Sequence, residues 1–134
     1  MDDLELEKSI LRDSQTVAIV GASDKPDRPS NGVAKWLLEN SHYEIYFVNP
    51  AIKELWGRPV YASLEEVPVK IDLVDVFRKT ADLPPIFQSA LALKVNAIWL
   101  QLGISDEILA TQAREQDVKV IMDKCLKVEY DLYM

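Results

Sequence analysis

Gly21 closes a run of small and β-branched apolar residues, Thr16-Val17-Ala18-Ile19-Val20, and is followed by Ser23, Lys25, Arg28, Ser30 and Asn31. Hydroxyl, amide and cationic donors just after a glycine turn are the parts of an anion cradle. The missing Cβ lets a ligand approach the backbone closely. A helix opening at Ser30 to Val33 would add free N–H groups and the positive end of its dipole. Pro26 and Pro29 stiffen the connecting loop, which lowers the entropy lost on binding. The chemistry this suits is retention of a phosphorylated, nucleotide-type cofactor.

The spacing excludes the familiar versions of such a site. After Gly21 come Ala22 and Ser23, and the next glycine is Gly32, so the dinucleotide fingerprint G-x-G-x-x-G is missing. The second strand ends in Asn49-Pro50 rather than in the Asp or Glu that would bind a ribose 2′-hydroxyl. No Gly-Lys-Ser/Thr of a Walker loop is present either. The residues by themselves reach a nucleotide-phosphate binder and leave the nucleotide open.

Candidates for catalysis are few. The single histidine, His42, falls between a helix and the start of a strand, at the opposite edge from the glycine turn. Without it no Ser/His/Asp or Cys/His arrangement can form. One histidine and one cysteine, Cys125, supply no metal-ligand spacing. Asp75 lies inside an apolar run, so it must find a hydrogen-bond partner, for which a neighbouring loop backbone is the favoured source, or face the ligand. Gln101 ends the fourth strand and either lines the pocket or caps a loop. Trp36, Trp56 and Trp99 fit the apolar periodicity of core and loop packing. The expected catalytic set is therefore none, and the expected metal set none.

Positioning these residues requires an alternation of buried strands and amphipathic helices, which is the pattern of βαβ units around a parallel sheet. Strands are expected at Thr16–Val20, Glu44–Val48, Asp72–Phe77, Ala97–Leu100 and Lys119–Met122. Helices are expected at Leu4–Arg12, from Ser30 to about Asn40, at Leu83–Lys94 and after Ser105 as N-cap, with a helical turn or two after Lys124. Ile52, Leu55 and Trp56 suggest a short helix broken by Gly57-Arg58-Pro59, with Val60 and Tyr61 briefly extended and a turn at Ser63. The fold class is α/β, a doubly wound five-stranded parallel sheet of Rossmann-like form with strand order 3-2-1-4-5. Its ligand should lie outside the carboxyl ends of the strands. One domain over residues 1–134 is expected, with no repeat or linker.

Composition narrows the partners. Hydrophobic residues make up 49% and charged residues 28%, the balance of a globular protein. A formal net charge of −7 disfavours nucleic acid, where phosphate neutralisation supplies most of the affinity. Any anionic ligand must be held locally, against the overall field. No apolar run approaches the ~20 residues that cross a bilayer. An acidic N-terminus and a lone cysteine point to the cytoplasm, with neither membrane nor export expected.

Beyond this reading, several motifs match one family in order along nearly the whole chain. They are Val17-Ala18-Ile19-Val20-Gly21-Ala22-Ser23, Arg28-Pro29-Ser30, Val48-Asn49-Pro50, Gly57-Arg58-Pro59-Val60-Tyr61 with Ser63-Leu64, Asp72-Leu73-Val74-Asp75-Val76-Phe77-Arg78, Trp99-Leu100-Gln101-Leu102-Gly103 and Met122-Asp123-Lys124-Cys125. The chain resembles the small stand-alone CoA-binding domain proteins, whose fold is similar to the CoA-binding domain of the succinyl-CoA synthetase alpha subunit. The resemblance implies that Gly21, Ala22, Ser23, Arg28 and Ser30 hold the phosphates of coenzyme A or an acyl-CoA. Asn49 and Pro50 would lie near the adenosine, and Val76, Phe77 and Arg78 would flank the adenine or the start of the pantetheine arm. Ser41-His42-Tyr43 departs from the family, which usually has glycine before the tyrosine, and does so away from the ligand edge. The phosphohistidine domain of the synthetase is absent. Non-catalytic binding of CoA is therefore expected, with an NAD(P)-binding enzyme, or an acyl-CoA-utilising enzyme working with a partner subunit, as alternatives. Cys125, near the ligand edge, could form a mixed disulfide with the CoA thiol, although an inert half-buried cysteine is the plainer expectation.

Overall fold

The computed structural model describes residues 2–134. Among these residues five α-helices surround one sheet: α1 (Asp3–Asp13), α2 (Pro29–Asn40), α3 (Leu83–Ala92), α4 (Glu107–Glu115) and α5 (Leu126–Tyr133). The strands are β1 (Thr16–Val20), β2 (Glu44–Val48), β3 (Glu54–Leu55), β4 (Arg58–Tyr61), β5 (Leu73–Val76), β6 (Ala97–Leu100) and β7 (Lys119–Ile121). They form a seven-stranded sheet in the order β3-β4-β2-β1-β5-β6-β7. Every pairing is parallel except the β3–β4 hairpin.

This corrects the expected five strands and their order. The strand around Asp72–Phe77 pairs with β1 on the side away from β2, with Ile19 opposite Asp75. The place beside β2 is taken by β4, which pairs through Val60 and Tyr61. The segment looked irregular because Pro59 has no N–H for a ladder, which argues against a strand. Here Pro59 faces the two-residue β3, and the adjacent Val60 donates to the Lys53 carbonyl at 3.0 Å instead. Counting β4 as the third parallel strand gives 3-2-1-4-5-6, the doubly wound order, and puts its reversal between β1 and β5.

The short helix expected at Ile52–Trp56 is instead part of this hairpin. Trp56 and Gly57 both adopt positive φ, 51° and 76°, the requirement of a two-residue type I′ turn. The α4 cap also moves by one residue. Asp106, not Ser105, is the N-cap, and its carboxylate accepts from the Leu109 N–H at 3.0 Å.

Strand alternation builds two cores. Val17, Ile19, Phe47 and Trp99 pack with α1, α2 and α5. Ala18, Val74, Val76, Ile98 and Val120 pack with α3 and α4 on the other face. With both faces covered, the strands read as continuous apolar runs, and only the sheet's edges and ends remain open.

Candidate functional site

The turn after β1 is built around Gly21, whose φ is +90° and whose N–H donates to the Val48 carbonyl at 2.9 Å. A Cβ at this position would sit 3.1 Å from Arg78 Cδ and 3.3 Å from Phe77 Cβ. The space spared by the glycine is therefore used first by the β5 end, which lays the Arg78 side chain across the turn. Ser23 accepts the Lys25 N–H through its hydroxyl at 3.1 Å, and its carbonyl accepts from Asn31 Nδ2 at 2.9 Å. Asn49 ties the two neighbouring loops together. Its Nδ2 donates to the Ala22 carbonyl at 2.7 Å and its Oδ1 accepts the Ala51 N–H at 2.8 Å.

The N-terminus of α2 opens into this region. Arg28 occupies the cap position without a side-chain cap, Pro29 begins the helix, and no acidic residue stands in its first turn. Such an end favours an anion.

Two clefts meet here, sharing Gly21, Asn49, Arg78 and Asp82. The first, about 490 Å³, is the more polar of the two and includes Ser23, Lys25, Arg28, Ser30 and Lys79. Its lining carries four cations (Lys25, Arg28, Arg78, Lys79) against two carboxylates (Asp24, Asp82), the reverse of the chain's overall charge. The second, about 370 Å³, is mainly apolar, with Val20, Val48, Pro50, Leu64, Pro85 and Ile86 among its walls. Together they offer one place for phosphates and an adjoining one for a flat or apolar group.

The sequence-derived residues gather unevenly. Gly21, Ser23, Arg28, Ser30, Asn49, Phe77 and Arg78 line the polar cleft, and Pro50 lines the apolar one. Ala22 and Val76 line neither, because their side chains are wholly buried in opposite cores. Lys79, Asp82 and the Ser63–Leu64 and Pro85–Ile86 walls were missed. Ser63 and Leu64 belong to the loop after β4 and reach the site because β4 lies beside β2, whereas Lys79, Asp82, Pro85 and Ile86 run from the end of β5 into α3 and reach it because β5 lies beside β1.

Other candidates take structural roles. Gln101 is buried and accepts the Leu126 N–H at 3.1 Å, capping the entry to α5. His42 is exposed, with Nε2 2.8 Å from the Ser14 carbonyl and Nδ1 2.8 Å from the Tyr130 hydroxyl. A carbonyl only accepts, so Nε2 donates to Ser14, and in the neutral imidazole Nδ1 then accepts from Tyr130. Cys125 is half-buried at the start of α5 and lines neither cleft. Asp75 overturns the expectation of a loop partner. It is fully buried, both carboxylate oxygens lack a hydrogen bond, and burial pushes its pKa well above the usual carboxylate range. Among the described residues no cluster of His, Cys, Asp and Glu could hold a metal ion, and no helix is long and apolar enough to cross a membrane.

Comparison with known proteins agrees with this geometry. Residues 15–131 match the family model of the CoA binding domain. The uncharacterized protein YneT of Bacillus subtilis is 39% identical over 123 residues, covering 92% of this chain and 90% of that protein. An ADP-forming acetate–CoA ligase of Archaeoglobus fulgidus is 26% identical over 122 residues, 84% of this chain but only 18% of the ligase. Among solved structures, the Thermus thermophilus protein cell-free ID.343 superposes with a TM-score of 0.91 at 34% identity, covering 100% of both chains. With the sheet order, the cation-lined cleft and the match over most of its length in agreement, the chain belongs to the CoA-binding domain family.

Proposed function

We propose that this chain, acting as a single domain, binds coenzyme A or an acyl-CoA at the carboxyl edge of its sheet and does not itself catalyse a reaction on it. The observation that carries this reading is the paired cleft at the β1–β5 reversal, cationic on one side and apolar on the other. The phosphates sit with Ser23, Lys25, Arg28 and the α2 N-terminus, where arginine can grip phosphate oxygens bidentately. The adenosine occupies the apolar cleft beside Asn49 and Pro50, and Phe77 flanks the start of the pantetheine arm. A non-catalytic role is supported by the engagement of His42 in a structural network and by Cys125 lining neither cleft. The lone cysteine suits a reducing compartment, and we place the protein in the cytoplasm.

A second reading has one specific observation in its favour. The chain matches a segment amounting to 18% of a larger CoA ligase, so a partner protein could supply catalysis to CoA held here.

The deciding experiment is a thermal-shift panel with CoA, acetyl-CoA, NAD, NADP and ADP. Ligand at about 100 times Kd should stabilise the fold by about 2.7 kcal/mol. CoA should raise the melting temperature more than NAD. Arg28→Ala should leave the free protein's Tm unchanged while weakening CoA roughly tenfold or more, the scale of a lost charge-assisted hydrogen bond. An equal response to NAD, or none to CoA, would sink the assignment.

A further inference from the structure

Asp82 stands at the N-cap position of α3, yet its side chain does not cap that helix. The local sequence explains why. An N-capping carboxylate accepts from the second or third helical N–H, and those residues are Pro84 and Pro85, which have none. The carboxylate is thereby left without its usual local use. It turns to Arg78, whose Nε and Nη2 both donate to Oδ2, at 3.2 and 3.0 Å. Both partners line both clefts, and the pair is only partly shielded, with side chains 42% and 32% exposed. Arg78 is pinned from below as well, its Cδ resting on the space left by Gly21.

We propose that Asp82 is a resident counter-ion of the site, holding the Arg78 guanidinium between the two clefts and surrendering it to a ligand phosphate. The proposal rests on the reading that the cleft takes a phosphorylated ligand. The Nε–Nη2 edge used by Asp82 is one by which a guanidinium grips phosphate bidentately, so a phosphate taking that edge competes with the carboxylate. Asp82 then acts as a selectivity residue. A multiply charged phosphate group displaces it, whereas a weakly charged anion does not repay the loss of the ion pair and the repulsion from the carboxylate.

The test is calorimetric titration of wild type, Asp82→Asn, Arg78→Ala and the double variant with coenzyme A and, separately, inorganic pyrophosphate at fixed salt. Asp82→Asn should tighten binding roughly twofold to fivefold, the range spanned by partly exposed ion pairs. In the Arg78→Ala background the same substitution should change affinity by less than about twofold, because the competition has been removed. Equal tightening in both backgrounds would reduce Asp82 to general repulsion and overturn the exchange. Weaker binding by Asp82→Asn would overturn it too, making the carboxylate a support for Arg78. Pyrophosphate showing the Arg78-dependent effect while CoA fails to bind would uphold the exchange and defeat the CoA reading. Failure of both probes with wild type and Asp82→Asn alike would defeat both.

Discussion

At the scale of single residues, Gly21 and Asp75 show what local chemistry does and does not announce. Gly21 stands out in the sequence, but its neighbour across the missing Cβ is Arg78, and its φ of +90° is unfavourable for any L side chain. Gly21→Ala should therefore destabilise the fold by about 1–2 kcal/mol and weaken CoA by displacing Arg78. Denaturant titration and calorimetry read the two effects separately. Asp75 is legible as an anomaly, an acid in an apolar strand, but its fate is not. Sequence logic expects a partner, and the structure gives it none. Its register neighbours are Ile19, which has no polar side-chain atom, and Trp99, whose indole N–H is given to the Lys124 carbonyl. Asp75→Val should stabilise the protein by about 1–3 kcal/mol near neutral pH, since an unsatisfied buried polar group is removed. A loss of stability on denaturant unfolding would contradict the absence of a partner.

At the scale of elements, the helices facing the site follow from their own sequences, while their attachments to one another do not. Proline at the start of α2 and of α3 and apolar periodicity in both mark them without help from the fold. The clasp between α1 and the segment entering α5 has no such signature. Glu7 is wholly buried, and its Oε1 lies 2.6 Å from Lys124 Nζ, a contact spanning most of the chain. Trp99 Nε1 fixes the same segment by donating to the Lys124 carbonyl at 2.8 Å. Lys124→Met removes the counter-ion and leaves Glu7 buried without it. The expected cost is about 1–3 kcal/mol, discounted because Lys124 is half exposed. A Glu7→Gln, Lys124→Met double variant should recover part of it. Thermal melts of the single and double variants make the comparison, and strict additivity would deny the coupling.

At the scale of the whole molecule, the buried charges set a pH dependence. Burial raises the pKa of Asp75, and burial together with Glu7 raises that of Glu129. An acid held higher in the folded state keeps its proton there and loses it more readily on unfolding. Its stabilising contribution is therefore greatest below about pH 4 and is lost as pH climbs through the folded value. Lys124, raised chiefly by its hydrogen bond to Glu7, acts in the same direction but in alkali, with stability lost as pH rises past the ordinary lysine range. Melting temperatures from about pH 4.5 to about pH 8 should decline in wild type and decline less in Asp75→Val. A gap between the two proteins that stays constant across that range would rule out Asp75 as the source.

The sequence by itself determined the α/β class, the glycine turn, the uncapped α2 entrance and the absence of a dinucleotide fingerprint, because each depends on contacts within a few residues. The tertiary structure decided the strand order, since Pro59 hides β4 and only pairing with β2 reveals it as a strand. It also decided the second half of the site. Leu64, Asp82, Pro85 and Ile86 meet Gly21 and Asn49 across the β1–β5 reversal, and nothing in their local sequence carries that distance. Asp82 lies between the two cases. The prolines after it deny it a cap, which can be read along the chain, but only the end of β5 could show that the freed carboxylate goes to Arg78.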